Sequence, residues 1–229
     1  MHQKSQKFVN NQIGDIKLTR SQFITINAVF FAIIILSLGF PLSFGPVSLA
    51  ALPLVVVIIS AQAFGLKSGL ITGAMFGIIS FVGSFIAPSL LAQAFYNPLV
   101  SLFPRILIGL FVYLSNKCLM TIFPKIKQIL AYAISASVGI LTNTILVIGM
   151  ILIFNFGKTF LHNEDTLTIG WQWMVALLLQ NTIFEFLICI ILAPPITIAL
   201  RAEAKRINQK RAKTNENANN VETIESTND

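Results

Sequence analysis

Charge is what this chain has least of. Only 11% of its 229 residues are Asp, Glu, Lys or Arg, against roughly 25% in soluble domains, while 55% are apolar and the mean hydropathy is +0.78. A soluble globular domain is excluded. Cysteine is represented by Cys118 and Cys189 in separate apolar stretches, with no CxxC pair and no disulfide framework, so both read as packing residues. The two histidines, His2 and His162, stand in a tail and a loop, and no carboxylate pair or Ser/His arrangement lies at membrane depth. The constellations of an intramembrane enzyme or a metal site are therefore missing, and no cofactor is implied. No GxxxxGK(S/T) phosphate loop occurs either, so ATP-driven work would fall to partner subunits. The 16 basic residues outnumber the 9 acidic ones, but they gather in tails and loops, and no nucleic-acid groove is indicated.

What is abundant is long charge-free sequence. Residues 21–66, 68–104, 128–157, 166–184 and 186–200 carry no charge, and a spanning helix needs about 20 apolar residues. The expected spans are 23–40, 47–65, 68–87, 98–118, 128–155 and 170–199, broken at Gly39-Phe40-Pro41, Gly65, Ala87-Pro88, Pro124 and Gly157. The expected fold is an all-α membrane protein with six transmembrane helices. The first run is too long for a signal-peptide core and lacks a cleavage site, so it is expected to remain as a helix.

With both termini cytoplasmic, 14 of the 16 basic residues fall in cytoplasmic segments, leaving Lys158 in an outer loop and Arg105 inside a span. That agrees with the Lys/Arg excess expected of cytoplasmic loops. The chain then divides into a cytoplasmic segment 1–21, a transmembrane domain 22–200, and a polar cytoplasmic tail 201–229. The tail is expected to continue as a short helix and then become disordered. No internal repeat is visible.

Arg105 and Glu185 are the two charges within spans, each costing about 2.5 to 3.5 kcal/mol at a helix centre if left in lipid. They face protein or water, either as a structural ion pair or as the polar wall of a solute cavity. The stretch Asn97-Pro98-Leu99-Val100-Ser101-Leu102-Phe103-Pro104-Arg105 favours the cavity. Asn97 is a good N-cap and Pro98 a good first helical residue, so the fourth helix starts at the outer face with its positive end toward water. Pro104 deprives the Val100 carbonyl of its helical donor beside Arg105. A cap, a dipole and an arginine together suit a carboxylate. Asn143 lies near mid-depth in the fifth helix, and Asn181 and Glu185 share an i, i+4 face of the sixth. Each asparagine alone could serve as an interhelical hydrogen bond. With Arg105 they outline a pocket. Trp171 and Trp173 stand where an aromatic belt is expected. Gly69, Gly73 and Gly77 form a small-residue stripe for internal packing, and the Ala28/Ala32 pair of the first helix suits either internal packing or docking of another membrane protein.

Over residues 22–200 the sequence resembles the substrate-binding S components of energy-coupling factor (ECF) vitamin transporters, in the branch that includes pantothenate and cobalamin carriers. NPLVSLFPR at 97–105, the glycine-rich third helix and Ala28-xxx-Ala32 carry the likeness. It implies a vitamin-binding subunit of the plasma membrane that associates with a T component and two ATPases. Arg105, Asn97 and Asn143 match positions where pantothenate-type members hold ligand, and Ala28 and Ala32 match the docking stripe for the T component. The loop 158–170, with His162, Glu164 and Asp165, is longer than the family pattern, and so is the polar C-terminus.

The expected function is thus high-affinity vitamin binding near the outer face for ATP-driven import, with pantothenate the favoured ligand. Asn97, Arg105, Asn143, Asn181 and Glu185 are the candidate ligand residues. The alternatives are another vitamin (cobalamin, folate, or a pyridoxine or pyrimidine type) or a self-sufficient carrier driven by protons through Glu185.

Overall fold

A computed structural model describes residues 18–39, 43–44, 47–48, 51–86, 92–123, 125–155, 157, 159–162, 165–168 and 171–225. The hydrophobic runs form six helices: α1 (Arg20–Gly39), α2 (Ala51–Phe64), α3 (Leu66–Ile86), α4 (Pro98–Ile122), α5 (Gln128–Asn155) and α6 (Trp171–Glu225). Five of these contain stretches long and apolar enough to cross a membrane. The exception is α2, whose 14 residues rise only about 21 Å against a hydrocarbon core of roughly 30 Å. It lies inside the bundle, packed by α1, α3, α4 and α6, and all of its residues except Leu52 are buried. A short helix with irregular backbone at its end is tolerable where protein, not lipid, surrounds it.

Helices α2 and α3 are joined by Gly65 alone, whose φ of 89° lies in the left-handed region that glycine adopts without a Cβ clash. The hairpin is closed by polar contacts. Ser68 donates to Asn27 Oδ1 (3.0 Å), Ser60 to Ser68 (3.0 Å) and Thr72 to Ser60 (2.9 Å), tying α1, α2 and α3. Gln62 reaches the other side of the bundle. Its Nε2 donates to the Tyr132 carbonyl (2.8 Å) and Ser135 Oγ (2.9 Å) of α5, and its Oε1 accepts from Thr197 of α6 (2.9 Å). Arg201 donates to the Tyr132 hydroxyl at 2.6 Å. Between helices in lipid such bonds contribute about 0.6 kcal/mol each. Around them the apolar core is built from α2, with Ile34, Phe76, Ile108, Val112, Ala136 and Ile140.

The glycine stripe packs internally, as expected. A Cβ on Gly73 would overlap the Arg105 carbonyl, one on Gly77 would meet Leu102 Cα at 2.8 Å, and one on Gly69 would meet Gly109 Cα at 3.3 Å. Backbones of α3 and α4 therefore touch from Gly69 to Gly77, just over two turns, and Arg105 is seated directly on Gly73.

Two features differ from the sequence reading. The segments between helices carry short antiparallel ribbons, Ser43–Phe44 with Val47–Ser48 (β1, β2) and Thr159–His162 with Asp165–Thr168 (β3, β4). Loop composition did not signal them, because each ribbon is too short for a visible period-two pattern. The second difference is α6, which runs on to Glu225 where composition predicted a short extension and then disorder. Once a spanning helix supplies the nucleus, each further turn adds hydrogen bonds at little nucleation cost, and the Ala-, Lys-, Arg- and Glu-rich run after Arg201 is good helix material.

Candidate functional site

The fourth helix begins as its sequence requires. Asn97 is its N-cap, with φ −83° and ψ 119°, and its side-chain oxygen accepts from the Leu99 N–H at 3.0 Å. Pro98 occupies the first helical position, where a missing N–H costs nothing. Just before it a 3-10 turn spans Ala92–Tyr96 and packs on α3, α4 and α5. Phe85 of α3 stacks on Tyr96 of this turn, with centroids 4.7 Å apart and planes 8° from parallel.

Seven residues into α4, about 10 Å along its axis, lies Arg105, with only 6% of its surface exposed. Its Nη1 donates to the Val100 carbonyl at 2.9 Å, the oxygen that Pro104 leaves without a helical donor. The guanidinium carbon lies 5.6 Å from the Phe76 ring centroid and 4.8 Å from that of Phe95, within cation–π range. Among the described residues its Nε has no hydrogen-bond partner. A buried cationic donor without an acceptor is costly, and native structures rarely keep one without a use.

The structural ion-pair reading of Arg105 fails. Glu185 is half-buried on α6, and the one ion pair within 4.0 Å among the described residues joins Arg206 to Glu203 on the surface. Asn143 is half-buried on α5, and its buried Oδ1 is likewise without a partner. Thr144, next to it, meets Thr182 of α6 at 3.3 Å, which brings the middle of α5 against the turn of α6 that precedes Glu185. No hydrogen bond joins Arg105, Asn143 and Glu185 to one another among the described residues. Asn181 lies on α6, but its side chain falls outside the described residues, as do those of Trp171, Trp173, His162 and Asp165.

Sequence reasoning missed Asn155. It is 8% exposed at the end of α5, with a buried Nδ2 that lacks a partner among the described residues, and α5 delivers it to the same end of the bundle as Asn97. An asparagine closing a helix reads as a helix stop. Nothing in its spacing distinguishes it. The aromatic neighbours of Arg105 were equally hidden, because Phe76 and Phe95 are two of 19 phenylalanines.

Arg105, buried and with an idle donor, thus lies near one end of a six-helix membrane bundle. The family model "ECF transporter, substrate-specific component" matches residues 22–197, most of the chain. The chain belongs to this family. It is a multi-pass protein of the cell membrane and a substrate-binding subunit. A curated relative, the pantothenate transporter PanT of Leuconostoc mesenteroides subsp. mesenteroides, is 27% identical over 203 residues, covering 83% of this chain and 98% of its own length. In this S component Ala28 and Ala32 are exposed on α1, flanked by exposed Ile24, Phe31 and Ile35, so the pair forms a shallow place on an otherwise bulky surface instead of packing inside the bundle.

Proposed function

We propose that this S component binds pantothenate, with the carboxylate of the vitamin on Arg105. The observation that carries the reading is the Arg105 guanidinium itself: buried, held by one nitrogen, and with its Nε unused. Arginine presents paired N–H donors that match a carboxylate in two parallel hydrogen bonds, and the desolvated surroundings of Phe76 and Phe95 strengthen that attraction. Pantothenate has one carboxylate, two hydroxyls and an amide. Asn143 Oδ1 supplies an acceptor for a hydroxyl or amide N–H, and Asn155 Nδ2 a donor for a carbonyl. Asn97 lends its side-chain oxygen to the helix cap and keeps its amide nitrogen for ligand. The name of the curated relative points the same way.

In this reading the N-terminal end of α4 faces outward and both chain termini face the cytoplasm, in accord with the distribution of Lys and Arg. Release inward requires a membrane T component docked on the Ala28/Ala32 face and two ATPases, because this chain carries no phosphate loop. Calorimetry on the purified full chain tests the ligand. Pantothenate binds tightly, its uncharged primary-alcohol analogue binds at least tenfold more weakly, and Arg105→Gln abolishes the difference. Equal affinity for the acid and the alcohol removes Arg105 from the carboxylate site, and no binding of pantothenate at micromolar levels removes that ligand.

A further inference from the structure

The proline that precedes Arg105 has a use that a kink alone does not explain. In an uninterrupted helix the N–H of residue 104 would donate to the carbonyl of residue 100. Pro104 has no N–H, and Val100 is fully buried, so its carbonyl oxygen has neither a helical donor nor water. Helical side chains lean toward the N-terminus. Arg105 does so, and its Nη1 takes the vacated oxygen at 2.9 Å, five residues back. Phe76 and Phe95 lie within cation–π range of the guanidinium, and Gly73 lets α3 press against the Arg105 backbone. With Nη1 engaged, the edge formed by Nε and Nη2 is the one left for an anion, and Nε is the atom without a partner among the described residues.

We infer that Pro104 is a positioning residue for substrate: by withholding its own N–H it reserves the Val100 carbonyl for Arg105, which fixes the guanidinium with its Nε/Nη2 edge toward the ligand. This rests on the carboxylate reading of Arg105. Restoring an N–H at 104 sets the helix and the arginine in competition for one buried oxygen. The helix gains a bond, and the arginine loses its anchor.

The test is a double-mutant cycle on the full chain in detergent, with pantothenate as the probe. Pro104→Ala is expected to weaken binding about tenfold, the scale of one hydrogen bond to a charged group, while the melting temperature stays level or rises. Arg105→Gln weakens binding further, and the double variant binds like Arg105→Gln alone, because Pro104 acts through the arginine. Wild-type affinity in Pro104→Ala, or the same loss from it in the Arg105→Gln background, overturns the inference. Pro104→Ser restores the same N–H and serves if the alanine variant does not fold.

A second readout needs no ligand. Side-chain nitrogen NMR of labelled arginine, with the signal assigned by Arg105→Gln, is expected to show restricted guanidinium rotation in the wild type and fast rotation in Pro104→Ala. Unchanged rotation overturns the inference whatever the ligand. If rotation is freed but wild type does not bind pantothenate, the inference stands and the proposed vitamin falls.

Discussion

Replacing Gly73 with alanine places a methyl group against the backbone on which Arg105 sits. The new carbon would overlap the Arg105 carbonyl oxygen and lie 3.1 Å from its carbon and 3.2 Å from Ile106 Cα, where comfortable carbon contacts begin at about 3.5 Å. None of these atoms ends a flexible side chain. Relief requires α3 and α4 to separate by roughly 0.5 to 1 Å, and that separation propagates to the neighbouring contacts. The Ser101 to Gly77 hydrogen bond, already 3.2 Å, then exceeds bonding distance. Overpacking of this kind costs about 1 to 3 kcal/mol, which for a chain of this size is a fall of roughly 2 to 12 °C in melting temperature. The internal control is Gly149→Ala on α5. A Cβ there has nothing within 4 Å, so the substitution is neutral or stabilises by up to about 1 kcal/mol through helix propensity. Thermal unfolding of the two purified variants side by side, with pantothenate affinity measured on each, decides the matter. Gly73→Ala is expected to lose both stability and affinity, because Arg105 moves with α4. If it melts with Gly149→Ala and the wild type, the backbone contact between α3 and α4 does not position the site.

Two other outcomes are expected. Gln62→Leu removes three buried hydrogen bonds between α2, α5 and α6, which at about 0.6 kcal/mol each is a loss of about 2 kcal/mol in unfolding measurements; an unchanged melting temperature would mean these bonds are replaced when the helices shift. Ala28→Trp fills the exposed shallow face of α1 and is expected to leave vitamin binding by the isolated chain unchanged while abolishing co-purification with a T component and its ATPases. Retained assembly would move the docking surface elsewhere.

Much of the framework was legible in the order of residues because lipid imposes a one-dimensional rule. A charge-free run of sufficient length has one stable destination, so the six helices, the break at Gly65 and the end of α5 before Gly157 follow from hydropathy. The start of α4 was equally plain, since Asn97-Pro98 can cap and open a helix with no help from elsewhere in the chain. Local composition was misleading for the polar segment after Arg201, where a helix inherited from α6 continues further than the segment would alone.

The sequence could say that Arg105 must leave the lipid and that Pro104 strands the carbonyl of Val100, because both statements concern one helix. It could not say that the first fact answers the second. Nor could it choose Phe76 and Phe95 from 19 phenylalanines, detect Asn155, or decide between Glu185 and a backbone oxygen as the partner of the guanidinium. Those choices depend on how close α3 comes to α4, a distance set by three glycines pressed against a neighbouring backbone. Burial and hydrogen-bond competition are properties of that packing and are not present in any single segment of the chain.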